Sequence, residues 1–335
     1  MGRPKKILVI RFSSIGDIVL TTSFLKSIKV KYGSPEIHFL TLERFSGILE
    51  MQPDIDRVIE LNSAAGIKDL IGLNGYIKSS QYDKIFDLHG SIRSRIVTLG
   101  LNNITSKVKK PRLLRFFLFQ LHINLFPENY SASVMYHDCI DGHEVLRTPK
   151  TKLIVSNIER KTAMSILNDN GVVDDFIVMV PGAAWSQKQW KINKYNNVIN
   201  EIIIRTKKPV VMLGTLNDDV CKEISLINDS VIDLSGKTEI RQAMAIISLS
   251  DTVFGSDTGL LHIAEALDKR VTMILGPTST ETGGGVSLNE SINIETDLWC
   301  RPCSQNGSQE CFRSAQYCMD LISSNRVVNS VLERE

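Results

Sequence analysis

The chain has 335 residues, which suits two domains of roughly 150 residues each better than one core. Its 43% hydrophobic and 23% charged content excludes a disordered chain, and no apolar run approaches the ~18 residues needed to cross a bilayer. The net charge of +2 hides an asymmetry: residues 1–155 carry 22 Lys plus Arg against 14 Asp plus Glu, or +8, leaving 17 against 23, or −6, for the remainder.

The opening "MGRPKKILVIRF" runs from basic residues straight into a strand-like segment without a small-residue cleavage site, which predicts a cytoplasmic protein. That first apolar run leads through "SSIGD" into a helical pattern, with Asp17 placed to cap a helix starting at Ile18. "EIHFLTL" and "RVIEL" follow as strands, and the Asp-Ile-Asp at 54–56, after Pro53 and before a strand, reads as a structural turn although it matches a metal-binding D-x-D pattern. "KIFDLHG" is the next strand and runs into "SIRS". From Leu88 to Pro127 there is no acid, while Arg93, Arg95, Lys107, Lys109, Lys110, Arg112 and Arg115 are basic, and "PRLLRFFLFQLHINLF" interleaves aromatics with that charge. Such a stretch fits an anionic membrane surface or a phosphorylated lipid, and equally a core-packing helix with a solvated basic edge. No nucleic-acid-binding motif accompanies it.

A domain break is expected near 150–160, with 1–155 and 156–335 as the two domains. The second half repeats the alternation with "FIVMVPG", "PVVMLG", "VIDLSG", "TVFGSD" and "VTMILGPT". Short continuous apolar strands separated by helices imply parallel sheets covered on both faces, hence two doubly wound α/β domains. In such sheets ligands bind beyond the carboxyl ends of the strands, so the loops after these runs are expected to rim one cleft between the domains.

Two of those loops carry recognisable chemistry. In "FGSDTGLLHIAEAL" a strand ends at Asp257 and Thr258, and Gly259 opens a helix whose free N–H groups suit a pyrophosphate, although a plain N-cap has the same residues. In "VPGAAWSQKQW" Lys188 follows a Pro-Gly strand end, where a lysine can neutralise charge building on a phosphate leaving group.

Taken in order, "KILVIRFSSIGDIVLTTSFLKSIK", "PDIDRVIEL", "YDKIFDLHGSIRS", "PGAAWSQKQW", "DLSGKT", "SDTGLLHIAEAL" and "GPTSTETG" resemble the bacterial heptosyltransferases of glycosyltransferase family 9 across most of the chain. The resemblance implies a GT-B architecture of two Rossmann-like domains, acceptor on the N-terminal one and nucleotide-sugar donor on the C-terminal one. It implies metal-independent transfer of a heptose or related sugar, from ADP-heptose, to a lipopolysaccharide-core glycolipid, with inversion. Asp17 matches the family's candidate general base and Lys188 its phosphate-contacting lysine. On the donor side the resemblance implies Ser186, Asp257, Thr258, Gly259, Leu260 and His262; on the acceptor side Ser13, Gly16, Arg93 and Arg95. After "PVVMLG" many members hold the ribose with an acidic residue close behind the glycine. Here "GTLNDD" offers Leu216 and Asn217 before Asp218, which becomes the candidate and leaves a UDP- or GDP-sugar donor open.

Four of the six cysteines, Cys300, Cys303, Cys311 and Cys318, fall in one short tail segment. The pattern is compatible with a structural tetrathiolate zinc, an iron–sulfur cluster or free thiols. A nucleotide-sugar epimerase or hydrolase on the same scaffold is the alternative enzyme. A nicotinamide-dependent oxidoreductase is disfavoured because the first turn lacks the glycine fingerprint, and a non-catalytic binding module because both Asp17 and Lys188 are present.

Overall fold

Apolar β-branched runs build two all-parallel sheets, and the computed structural model describes residues 4–128, 130–140 and 148–333 of the chain. The first sheet is formed by β1 (Lys6–Ile10), β2 (Glu36–Leu42), β3 (Arg57–Leu61), β4 (Lys84–Asp87) and β5 (Thr105–Lys107), in the order β3-β2-β1-β4-β5. The second contains β6 (Ile177–Val180), β7 (Val210–Met212), β8 (Val231–Asp233), β9 (Thr252–Ser256), β10 (Arg270–Ile274) and β11 (Ile292–Ile294), in the order β11-β10-β9-β6-β7-β8. The α/β fold class with two parallel sheets is the one the apolar runs imply. The chain falls into two compact units, one of residues 1–111 and 130–154, the other of 112–129 and 155–335.

Each sheet reverses direction once. In the first, strands are added on one side from β1 to β3 and on the other from β4 to β5, so the switch lies between β1 and β4; in the second it lies between β6 and β9. At such a point neighbouring connections leave on opposite faces and open a crevice at the strands' carboxyl ends. The loops that follow β1 and β4, and those that follow β6 and β9, hold most of the candidate residues, while Asp218 follows β7 and the cysteine cluster follows β11. Strands β6 and β9 also approach closely: Gly255 pairs with Val180, and a Cβ on Gly255 would lie 2.0 Å from the Val180 carbonyl oxygen. Glycine is what that pairing requires.

The cores are continuous with the sheets. Ile7, Leu8, Val9 and Ile10 of β1 are fully buried, as are Val253 and Phe254 of β9. Trp190 is buried beneath the second sheet, stacks edge-on against Tyr195 at 5.1 Å, and donates its indole N–H to the Met319 carbonyl at 3.1 Å. A buried indole N–H needs such a partner. Strands β5 and β11 are absent from the apolar runs: each has three residues at a sheet edge and keeps part of its surface in water, so neither carries a buried-strand signature. Among the described residues no helix is long and apolar enough to cross a membrane.

Candidate functional site

In the first unit, helix Ile15–Tyr32 begins three residues earlier than the start expected at Ile18, with Ser14 in place of Asp17 as its N-cap and Asp17 in its first turn. Asp17 folds back on that cap, its Oδ2 accepting the Ser14 backbone N–H at 3.2 Å and the Ser14 hydroxyl at 3.0 Å. The same oxygen meets Arg11 Nη2 at 2.5 Å, and Oδ1 accepts the Tyr136 hydroxyl at 2.7 Å. The side chain still exposes 32% of its surface, so a ligand can reach it.

Burial pushes the Asp17 carboxyl upward, but the Arg11 guanidinium and the bonds from Tyr136 and Ser14 outweigh it and hold it at about 2. The carboxylate is thus ionised throughout the neutral range and ready to accept a proton. Arg11 is itself buried, with Nη1 donating to the Leu88 carbonyl at 2.7 Å and its guanidinium 5.4 Å from the Tyr136 ring.

After β4, Asp87 is fully buried and shapes the next loop, accepting the N–H groups of His89 and Gly90 and the Ser94 hydroxyl. His89 stacks edge-on against Phe12 at 4.9 Å, and its Nδ1 is buried without a hydrogen-bond partner among the described residues. Burial, reinforced by Arg11 and Lys110, lowers it to about 4, so the ring is neutral at pH 7. Arg93 turns back onto its own unit, donating to the Ala65 carbonyl at 3.2 Å, while Arg95 is exposed on helix Ile92–Val97. Ser13 is half-buried and Gly16 buried beside Asp17. In the Asp-Ile-Asp turn, Asp56 is taken up by Lys29 Nζ and the Ile37 N–H.

In the second unit, the loop after β6 passes through the short helical turn Ser186–Lys188, and Lys188 Nζ meets Asp257 Oδ2 at 2.7 Å, both side chains keeping only 14% and 13% of their surface. Strand β9 stops at Ser256, one residue short of the end expected at Asp257, and Asp257 in the loop beyond it also accepts the Thr278 hydroxyl at 2.9 Å. Thr258 is the N-cap of helix Gly259–Ala266, so the N–H groups of Gly259 and Leu260 lie in its open first turn, and His262, in the same helix, is half-buried. Ser186 is exposed. Asp218 sits where the loops after β6 and β7 meet: its Oδ2 accepts the Thr215 N–H at 2.6 Å and the Thr215 hydroxyl at 2.9 Å, and a Cβ on Gly182 would lie 2.7 Å from its carboxyl carbon.

All six thiols are free, and among the described residues no three Cys, His, Asp or Glu side chains come together as a metal site. Burial pushes the Cys318 thiol up to about 11.

Sequence reasoning missed Arg11, Tyr136, His89 and Thr278. Arg11 carries the one local signal, a lone cation at the end of an apolar strand two residues ahead of the loop. Tyr136 lies 119 residues from its partner Asp17, and nothing local announces it.

Two parallel-sheet units with charged loops at both switch points define a GT-B-like α/β protein. Residues 72–312 match glycosyltransferase family 9 (heptosyltransferase), and the chain belongs to that family. Lipooligosaccharide heptosyltransferase 2 of Haemophilus influenzae is 24% identical over 298 residues, covering 82% of this chain and 84% of the relative. The crystal structure of a family 9 glycosyltransferase from Veillonella parvula superposes with a TM-score of 0.79 at 18% identity, covering 98% of this chain and 96% of that one. For the Escherichia coli ADP-heptose lipopolysaccharide heptosyltransferase II the values are 0.74 and 20%, covering 97% of each chain.

Replacing Arg11 with Met removes the charge that offsets the burial of Asp17. A carboxyl-carbon NMR titration is expected to move Asp17 from about 2 to the ordinary carboxylate value of roughly 4 or above. The sign follows from the depressed value: the pairing stabilises the folded state above the unfolded carboxyl value and is lost as pH falls through about 2. An unmoved titration in Arg11→Met shows that the pair does not set the charge.

Proposed function

We propose that this enzyme transfers a heptose or closely related sugar from ADP-heptose to a phosphorylated lipopolysaccharide-core glycolipid, inverting the anomeric centre. The observation that carries the reading is Asp17, a carboxylate fixed in its ionised form at the switch point of the first sheet with part of its surface open. In the transfer, the acceptor oxygen forms a bond to the anomeric carbon while the bond to the diphosphate oxygen breaks, and Asp17 takes the hydroxyl proton. A carboxylate held at about 2 is a weak base, so the proton moves late, when the attacking oxygen has lost electron density and become acidic.

On the donor side, Lys188 exchanges its partner Asp257 for diphosphate oxygens, and the N–H groups at the start of helix Gly259–Ala266 take up further charge on the leaving group. Ser186 and His262 are assigned to the same donor, and Asp218 to the ribose hydroxyls. Ser13, Gly16, Arg93 and Arg95 belong to the acceptor side, where the basic half suits a phosphorylated ligand. This chemistry calls on no metal. The relatives' names, an ADP-heptose lipopolysaccharide heptosyltransferase among them, support donor and acceptor alike.

We further assign the protein to the membrane surface on the cytoplasmic side. Helix Arg112–Leu121 leaves Leu113, Phe116 and Leu121 exposed, Ile123 and Leu125 continue the apolar strip, and Arg112 is exposed beside it. Such a strip with flanking cations lies in a lipid interface. A structural zinc on Cys300, Cys303, Cys311 and Cys318 stays a separate proposal, one that requires the thiols to draw together from where they stand.

Calorimetric titration with ADP-heptose, ADP, UDP and GDP is expected to show preference for the adenine ligands, weakened about tenfold or more in Lys188→Ala. Preference for UDP or GDP keeps the transfer chemistry and moves the donor. Asp17→Asn retains the Ser14 contact and is expected to bind donor while losing roughly 10²- to 10⁴-fold in transfer rate; donor turnover without acceptor points instead to a hydrolase or epimerase. In flotation assays the protein is expected to rise with phosphatidylglycerol vesicles but not with phosphatidylcholine alone, and Phe116→Asp to abolish it. Metal analysis decides the zinc: near one equivalent supports it, and less than about a tenth of an equivalent removes it.

A further inference from the structure

The cysteine-bearing tail is the motif that the transfer chemistry leaves without a role, and it is folded against the donor loops of its own unit. Gly307 (φ +80°) lies on the stem of Lys188: a Cβ there would be 2.5 Å from Lys188 Cγ and 2.9 Å from Cδ. Nearby, the Gln316 side-chain amide donates to the Gln187 carbonyl at 2.5 Å, gripping the residue before Lys188. The Gly307 N–H donates to the buried Ser304 hydroxyl at 2.9 Å, and the N–H groups of Cys303 and Ser304 both donate to the Pro277 carbonyl. Arg301 donates to the carbonyls of Gly276 at 2.5 Å and Thr278 at 2.9 Å, and pairs with Glu295.

These contacts close a ring. Lys188 meets Asp257, Asp257 accepts from Thr278, Thr278 is held by Arg301, and the turn that follows Arg301 ends at Gly307 against the Lys188 stem. Resting on the donor-site reading above, we propose that the 301–307 turn is the positioning element for Lys188, and that Gly307 is glycine so that its backbone can wall the lysine stem. A lysine side chain is a flexible four-carbon tether, and an ammonium confined beforehand loses less freedom when it meets a phosphate. Gly307 itself touches no substrate; it acts through Lys188, and the two walls of the ring set where the ammonium can go.

The test is a two-by-two set of full-length variants titrated calorimetrically with ADP, UDP or GDP, whichever the wild type binds, with thermal unfolding measured alongside. Gly307→Ala is expected to weaken diphosphate binding about tenfold with Lys188 present, and to change the residual affinity less than about twofold in the Lys188→Ala background. Binding unchanged in Gly307→Ala, or the same factor lost in both backgrounds, overturns the proposal, because a general loosening of the unit does not depend on Lys188. If Gly307→Ala does not fold, Gln316→Ala removes only the bond to Gln187, and the same dependence on Lys188 is expected with a smaller loss. A wild type that binds none of the three diphosphates removes the donor-site reading and this proposal with it. Wild-type binding with no coupling removes this proposal alone.

Discussion

A charge drawn toward the end of a buried parallel sheet must be compensated in place, and the first unit is organised around that requirement at Asp17. Its carboxylate receives Arg11, Tyr136 and Ser14, and Arg11 in turn is fixed by the Leu88 carbonyl at the end of the neighbouring strand. Both strands of the switch point thereby contribute to a single carboxylate. The compensation keeps the group ionised and gives both of its oxygens a donor while part of the side chain stays exposed.

The second unit meets the same requirement with the signs exchanged. There the charge is a cation, Lys188, and its partner is Asp257, the residue after β9. A nearly buried pair of this kind neutralises two charges that would otherwise be costly to desolvate, and on the donor reading proposed above phosphate binding becomes an exchange of anions around a fixed ammonium. Thr278 matters in that exchange, because its hydroxyl keeps Asp257 supplied with a hydrogen bond when the ammonium turns to another partner.

The sequence made the fold class legible because buried parallel strands have a local signature. "ILVI" in β1 and "IVMV" in β6 are apolar at every position, and both runs are buried. The edge strands Thr105–Lys107 and Ile292–Ile294 have no such signature, since they are short and partly wetted. Asp17, Lys188 and Asp257 were legible through loops with unusual residues at strand ends. Tyr136 and Thr278 were not, because their roles come from tertiary approach and an isolated Tyr or Thr carries no message about it. The segment around the cysteines shows the converse: its spacing drew attention to the thiols, and nothing local announced that Arg301, Cys303 and Ser304 donate to the carbonyls of Gly276, Pro277 and Thr278. Spacing reports proximity along the chain and leaves the direction of each thiol open.

Parallel sheets also impose an order of assembly. Val178 of β6 pairs with Val253 of β9, so the switch point of the second sheet cannot close until some 75 residues beyond β6 have been made, a separation matched by the Ser256 to Pro181 bond. The Gln316 bond to Gln187 and the Met319 carbonyl on Trp190 span 129 residues each. During synthesis the Lys188 loop therefore leaves the ribosome long before the segment that walls it. A nascent chain that stops short of residues 301–319 has the second sheet but not the finished Lys188 loop.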